Sequence, residues 1–213
     1  MKTNYHKQEN EMLPTIVNEV FIENVKMHEL WISTRKETNR SKKMEYIEKA
    51  FININLEGAI LSDSLMSRCR FINCRFSNCQ FVASNLMYTS FESCQILNCN
   101  LYKSDLHSIN AVGLDLNHSS LERVDAYDAN LIHANFSNCD LRGAQLIGTD
   151  LRYANLENVN LDYACIYRAK IYNLYKYKAA SLDHLVIKEN FADFGGSTLL
   201  NPDSEAISYL FSV

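Results

Sequence analysis

Residues 134–168 read ANFSN CDLRG AQLIG TDLRY ANLEN VNLDY ACIYR when cut into fives. The third residue of each pentad is large and apolar: Phe136, Leu141, Leu146, Leu151, Leu156, Leu161 and Ile166. The first is small or β-branched: Ala134, Cys139, Ala144, Thr149, Ala154, Val159 and Ala164. Followed outward in both directions, the apolar position recurs every fifth residue from Phe51 to Ile171, 25 times in succession with no polar residue and no slip. Two residues before it, from Ile54 to Ala169, the chain places only small or aliphatic side chains, among them Cys69, Cys74, Cys79, Ser84, Thr89, Cys94 and Cys99.

A period of five matches neither a helix at about 3.6 residues per turn nor a strand at 2.0. It describes a solenoid in which each pentad forms one side of a four-sided coil. The large residue points to the axis and the small one fills the space beside it. Twenty residues then complete a coil, and coils stacked at about 4.8 Å make a rod on the order of 30 Å long. Each coil buries its centre only against its neighbours, so the ends need caps. The other three positions of each pentad are expected to face solvent and vary freely.

The run at 134–168 resembles the pentapeptide-repeat family, with its loose pattern A(D/N)LXX. That resemblance implies an all-β fold, a right-handed quadrilateral parallel β-helix. The residues beyond the array then divide the chain into a tail or cap at 1–17, the β-helix at 18–192, and a C-terminal cap at 193–213. Weaker pentads at 18–32 would turn Val20, Val25 and Leu30 inward, and Tyr46 would lead into Phe51. Between them, STRKETNRSKK (33–43) carries Arg35, Lys36, Arg40, Lys42 and Lys43 against one acidic residue. It reads as a basic loop thrown out from the first coils. Past Ile171 the register slips by one and resumes at Tyr177, Leu182 and Ile187. Asn201-Pro202-Asp203 then opens a short helix with Ala206, Ile207, Leu210 and Phe211 on one stripe. Such a helix would cap the rod or pack against a second copy as a homodimer.

Composition agrees with a folded chain. The 213 residues (24.5 kDa) are 47% hydrophobic and 22% charged, which excludes wholesale disorder. The net charge of −4 is not that of a nucleic-acid binder. No apolar stretch has signal-peptide or membrane-spanning length, so a soluble, cytoplasmic protein with its seven cysteines as free thiols is expected.

Little in the chain suggests chemistry. Six cysteines take the small inward position and lack the short C-x₂-C spacing of a metal site; Cys165 alone falls outward. His6, His28, His107, His118, His133 and His184 are scattered over different faces. No phosphate loop, zinc motif or nucleophile elbow occurs. The reading is a non-enzyme with no cofactor and no metal.

The surface offers more. With twenty residues per coil, one column reads Ser67, Met87, His107, Tyr127, Ile147 and Tyr167, flanked by Tyr88. The adjoining column reads Ile52, Ile72, Glu92, Val112, Ile132, Arg152 and Tyr172. Apolar and aromatic groups at outward positions suit a protein-binding patch, although such residues also suit stacked strands for their own sake. Acidic Asp105 and Asp125 stack, with Asp115, Asp128, Asp140 and Asp150 distributed around the rod.

The family resemblance implies proteins that give quinolone or toxin resistance by imitating duplex DNA on type II topoisomerases, DNA gyrase and topoisomerase IV. Two features depart from that pattern. The unbroken register leaves no room for a second loop, and residues 51–175 hold twelve acidic against nine basic side chains. The leading expectation is a non-catalytic protein-binding solenoid directed at a topoisomerase. The alternative is a scaffold or effector module binding another protein through its Tyr/Met/Ile face. The candidate contacts are Arg35, Lys36, Arg40, Lys42, Lys43, Met87, Tyr88, Asp105, Asp125, Tyr127, Asp128 and Tyr167.

Overall fold

The computed structural model describes residues 13–171 and two short strands beyond them, Ala192–Asp193 and Thr198–Leu199. The expectations for residues 1–12, for the resumed register at Tyr177, and for a helix and dimer contact after Asn201 lie outside the described residues.

From residue 45 onward the chain winds in coils of twenty residues. β2 (Glu45–Ile47) pairs in parallel with β5 (Leu65–Ser67), and β3 (Ala50–Ile52) with β6 (Arg70–Ile72) and then β8 (Ser90–Glu92). β4 (Asn55–Glu57) pairs with β7 (Arg75–Ser77) and β9 (Gln95–Leu97), while Ile60 bridges Gln80 to start a fourth ladder. All four ladders continue as single bridges between residues twenty apart, the last being Asp150 with Lys170. The inward column is buried throughout, and so are the small residues two before it. At one end the core is aromatic. Phe71 lies flat between Phe51 (4.7 Å) and Phe91 (5.3 Å) and meets Phe76 edge-on at 5.6 Å.

Most polar residues in the small column reach the coil before, whereas Ser84 and Ser104 donate within their own coil to Phe81 and Leu101, and the Ser64 hydroxyl has no partner among the described residues. The hydroxyls of Thr89, Ser119 and Thr149 donate to the carbonyls of Met66, Ile96 and Ala126 at 2.7–2.9 Å, and the thiols of Cys74, Cys94 and Cys139 make the same reach at 3.0–3.4 Å. A buried hydroxyl or thiol is thereby satisfied without widening the core.

The outward positions are less free than their variability suggests. The residue two after each inward side chain has positive φ in every pentad from Glu48 to Arg168. That conformation is costly for β-branched side chains. None of the 25 residues there is Val, Ile or Thr; Asn recurs, as at Asn53, Asn73, Asn98 and Asn158. The residue just before the inward one is constrained as well. Asn85, Asn100, Asp105, Asp115, Asp125, Asn135, Asp140, Asp150, Asn155 and Asn160 each accept the backbone N–H two residues on, at 2.9–3.3 Å. This local bond draws the backbone into a turn. Three-residue strands open at this position only in the first coils, at Glu45, Ala50, Asn55, Leu65, Arg70, Arg75, Ser90 and Gln95.

The N-terminal end departs from the expectation of inward pentads at 18–32. Residues Asn18–Thr34 form a helix, α1, followed by Arg35 in the left-handed conformation with its N–H on the Trp31 carbonyl. The segment has no Gly or Pro, and a 3.6-residue stripe of Phe21, Val25 and His28 is buried. Val20 (48% exposed) and Leu30 (44% exposed) face outward, opposite to the five-residue reading. The stripe competes with the pentad at Val25 alone, and the helix wins because it also satisfies the backbone of the open coil end. Phe21 packs on Phe51 at 4.8 Å, and Glu29 accepts the Ile60 N–H at 2.9 Å. Before α1, β1 (Thr15–Ile16) pairs with β3. β10 (Ala192–Asp193) and β11 (Thr198–Leu199) form an antiparallel pair.

Candidate functional site

The basic segment is shorter and more closely held than a loop thrown out at 33–43. Ser33 and Thr34 belong to α1, Thr38 and Ser41 bridge in a tight antiparallel turn, and the Ser41 hydroxyl donates to the Lys36 carbonyl. Lys42 N–H bonds Met27 O at 3.1 Å, so the segment folds back along the helix. Arg35 pairs with Asp63 at 2.7 Å and lies 4.9 Å from the Trp31 ring centre; the Lys43 ammonium lies 5.8 Å from the same ring. Two of the five cations are therefore engaged by Trp31. Lys36, Arg40 and Lys42 are exposed, with no ion-pair partner among the described residues.

The second group lies on the coil face that begins at β2 and β5. Twenty-residue stacking builds a continuous column there. The Arg68 guanidinium sits 5.8 Å from the Tyr88 ring, Tyr88 meets His107 edge-on at 5.5 Å, and His107 lies flat on Tyr127 at 5.1 Å. Tyr88 and Tyr127 are 43% and 40% exposed, and Met87 is half-buried beside them. Asp105 and Asp125 occupy bridged positions of adjacent coils, and their Oδ1 atoms accept the N–H groups of His107 and Tyr127 at 3.0 and 3.1 Å. Those bonds hold the carboxylates beside the rings. Asp128, in the left-handed conformation, places its carboxylate over Gly148.

The structure thus brings Met87, Tyr88, Asp105, Asp125, Tyr127 and Asp128 together on one face. It leaves the five basic residues at the α1 end. Tyr167 lies two coils past Tyr127, beyond Ile147, with the Arg168 guanidinium 4.9 Å from its ring centre. Arg68 and His107, absent from the candidates, complete the column; the twenty-residue offset from Tyr88 and Tyr127 is the signal that points to both.

Charge elsewhere on the rod is largely paired. Arg70 donates twice to Glu92 (2.6 and 2.9 Å), and that bonding holds the Glu92 carboxyl below the usual range. Arg142 joins Asp140 and Glu122, while Arg152 and Lys170 both reach Asp150. Asp105, Asp115, Asp125 and Asp128 have no ion-pair partner among the described residues. Asp105, Asp125 and Asp128 belong to the aromatic face; Glu45 and Glu57 on the first coils are likewise without an ion-pair partner among the described residues.

Among the described residues the coil interior holds only small voids. An axial void lined by Phe91, Ile96, Leu101 and Leu106 measures about 10 Å³, space for one water at most. Among the described residues no group of three or more His, Cys, Asp or Glu is placed to hold a metal ion. Burial pushes the Cys69 thiol up to about 11 and that of Cys139 up to about 12, so both stay protonated and unreactive. No described helix is long and apolar enough to cross a membrane.

Among curated proteins none matches. Among solved structures, the chain is similar to HetL, a pentapeptide repeat protein involved in heterocyst differentiation regulation from the cyanobacterium Nostoc sp. strain PCC 7120, at 20% identity, TM-score 0.32, and coverage of 75% of this chain and 74% of that one. Full-length QnrB1, a plasmid-mediated fluoroquinolone resistance protein, is similar at 18% identity and TM-score 0.30, covering 79% and 92%. A pentapeptide repeat protein of the Arabidopsis thaliana thylakoid lumen is similar at 24% identity and TM-score 0.23, covering 62% and 70%. The model of pentapeptide repeats matches residues 51–86, 99–138 and 139–173 in eight copies, more than half of the chain. With the apolar ladder, the twenty-residue coil and the Asx turns that its pattern requires, the chain belongs to the pentapeptide-repeat family.

Proposed function

We propose that this protein is a non-catalytic binding rod that engages a protein partner through the face bearing Met87, Tyr88, Asp105, His107, Asp125, Tyr127 and Asp128. The rod is read as the right-handed, four-sided β-helix, with its four ladders as the sides. One observation carries the functional reading: a single face combines an exposed stacked aromatic column with three carboxylates that no cation neutralises among the described residues. Aromatic side chains held in place lose little entropy on binding, and carboxylates beside them orient a partner. A filled axis leaves the surface as the place where this fold can act.

A type II topoisomerase is the first partner to test, since unneutralised carboxylates are what a DNA-shaped competitor presents. The ion-paired remainder of the rod favours a partner that reads this one face over one that reads a duplex-like field along the whole length. The assay is gyrase or topoisomerase IV supercoiling and cleavage with and without a fluoroquinolone, at micromolar protein. Protection that is lost in the Tyr88→Ala, Tyr127→Ala double variant supports the topoisomerase reading. The absence of protection, inhibition and binding removes it, and leaves the scaffold reading through the same residues. Removal of residues 36–42 tests the exposed cations Lys36, Arg40 and Lys42; unchanged protection would show that they do not contact the enzyme.

A further inference from the structure

Of the four described histidines only His28 is fully buried, and its surroundings dictate its protonation. Nδ1 accepts the Met44 N–H at 3.0 Å, so it carries no proton. Nε2 lies 2.8 Å from the Ser62 carbonyl, which can only accept, so Nε2 carries the hydrogen. Both bonds together require the neutral ring. They also join three separate parts of the chain: His28 on α1, Met44 where the chain enters the first coil, and Ser62 within that coil.

The groups packed around the ring come from each of these parts. Trp31 of α1 lies flat against it at 5.6 Å, with Arg35 and Lys43 on the Trp ring. Burial is the strongest influence and holds the imidazole below its ordinary value. The Ser62 carbonyl, then Asp63 of the first coil and Glu29 of α1, act to charge the ring, and Lys43 from the connecting segment acts against it. A second proton must go to Nδ1, where it would face the Met44 N–H. That exchanges an accepted hydrogen bond for two opposed donors.

We infer that His28 is an acid-operated latch: protonation of Nδ1 frees α1 from the first coil and uncovers the Phe21, Tyr46 and Phe51 end of the core. The coils beyond are held by their own stacking, so the opening stays local. In the open cap the imidazole titrates near its ordinary value of about 6.5. The open form binds the additional proton, so acid favours it. From that pH down to the depressed value of the closed form, the closed cap loses ground by about tenfold per pH unit, one proton being taken up.

Trp31 is the single tryptophan of the chain, and it stacks on the latch. The test follows its emission in the full chain from pH 7.5 to 4.5, together with amide exchange. The expected result is a red shift of Trp31 and faster exchange at Met44, with the Phe91 and Leu116 amides still protected. His28→Gln, whose amide does not titrate, should abolish the pH dependence. A flat Trp31 signal, the same transition in His28→Gln, or loss of protection along the whole rod would overturn the inference. Should His28→Gln open the cap at pH 7.5, the His28 ring is titrated by NMR in the unsubstituted protein. A value at or above the ordinary one refutes the latch, and a value below it that coincides with Met44 exchange supports it.

Discussion

Replacing Phe71 by Ala tests how the solenoid is held together, because the same inward position is filled elsewhere by a phenylalanine without ring partners. Phe71 is fully buried and touches three rings: Phe51 at 4.7 Å, Phe91 at 5.3 Å and Phe76 at 5.6 Å. Phe136 is equally buried and has no ring contact among the described residues. Truncation of a buried Phe costs about 3–5 kcal/mol through lost transfer and the cavity left behind. Ring contacts add roughly 0.5–1.5 kcal/mol each, less what Phe51 and Phe91 recover by closing on the gap. Phe136→Ala is therefore expected to lose about 3 kcal/mol and Phe71→Ala about 5. The difference of about 2 kcal/mol is roughly a thirtyfold change in the folded ratio. Urea unfolding measures the totals, and amide exchange coil by coil shows where each loss falls, since a stacked array need not unfold in one step. Equal losses, within about 0.5 kcal/mol, would refute the claim that the stacked aromatic end stabilises this rod beyond ordinary burial.

Other outcomes are equally specific. Gly148→Ala should destabilise more than Gly113→Ala: both have positive φ, but a methyl at 148 runs into the Asp128 carboxylate and one at 113 meets nothing within 4 Å. Each loses about 1 kcal/mol to the left-handed backbone, and the excess at 148 should vanish in an Asp128→Ala background. Titration with an aromatic disulfide reagent should modify Cys165 in the native protein and the six inward cysteines only after unfolding; two or more fast native thiols would contradict the burial observed. For Asp150, burial raises the carboxyl, but the bonds from Arg152 and Lys170 outweigh it and hold the group below the ordinary range. Its contribution is therefore complete above about pH 4 and lost as pH falls through the depressed native value. The stability gap between the parent protein and Asp150→Asn should close over that acid interval and stay constant above it.

The N-terminal cap shows where a reading by period reaches its limit. Val25 satisfies both a five-residue and a 3.6-residue pattern, so the sequence around it supports either, and the open end of the first coil decides between them. A helix can cover Phe51 with Phe21 and supply Glu29 to the Ile60 N–H; another pentad would only move the open end outward by one more side. The latch at His28 is hidden from the sequence for the same reason, since Met44 and Ser62 stand 16 and 34 residues away from it. The proposed binding face is partly legible. Counting by twenty is enough to place Met87, His107 and Tyr127 in one column. Which carboxylates stay unpaired cannot be read that way, because Arg142 and Arg152 each reach carboxylates whose choice depends on side-chain geometry.

What the amino-acid order determined alone is the coil: its inward ladder from Phe51 to Ile171, its twenty-residue length and the stacking of its thiols and rings. Those follow from a repeat so regular that each pentad repeats its neighbour's local problem, and local problems are solved by nearby residues. Tertiary structure decided the ends and the charges. A cap has no repeat to copy, and an ion pair forms between whichever long side chains the finished surface happens to bring within reach.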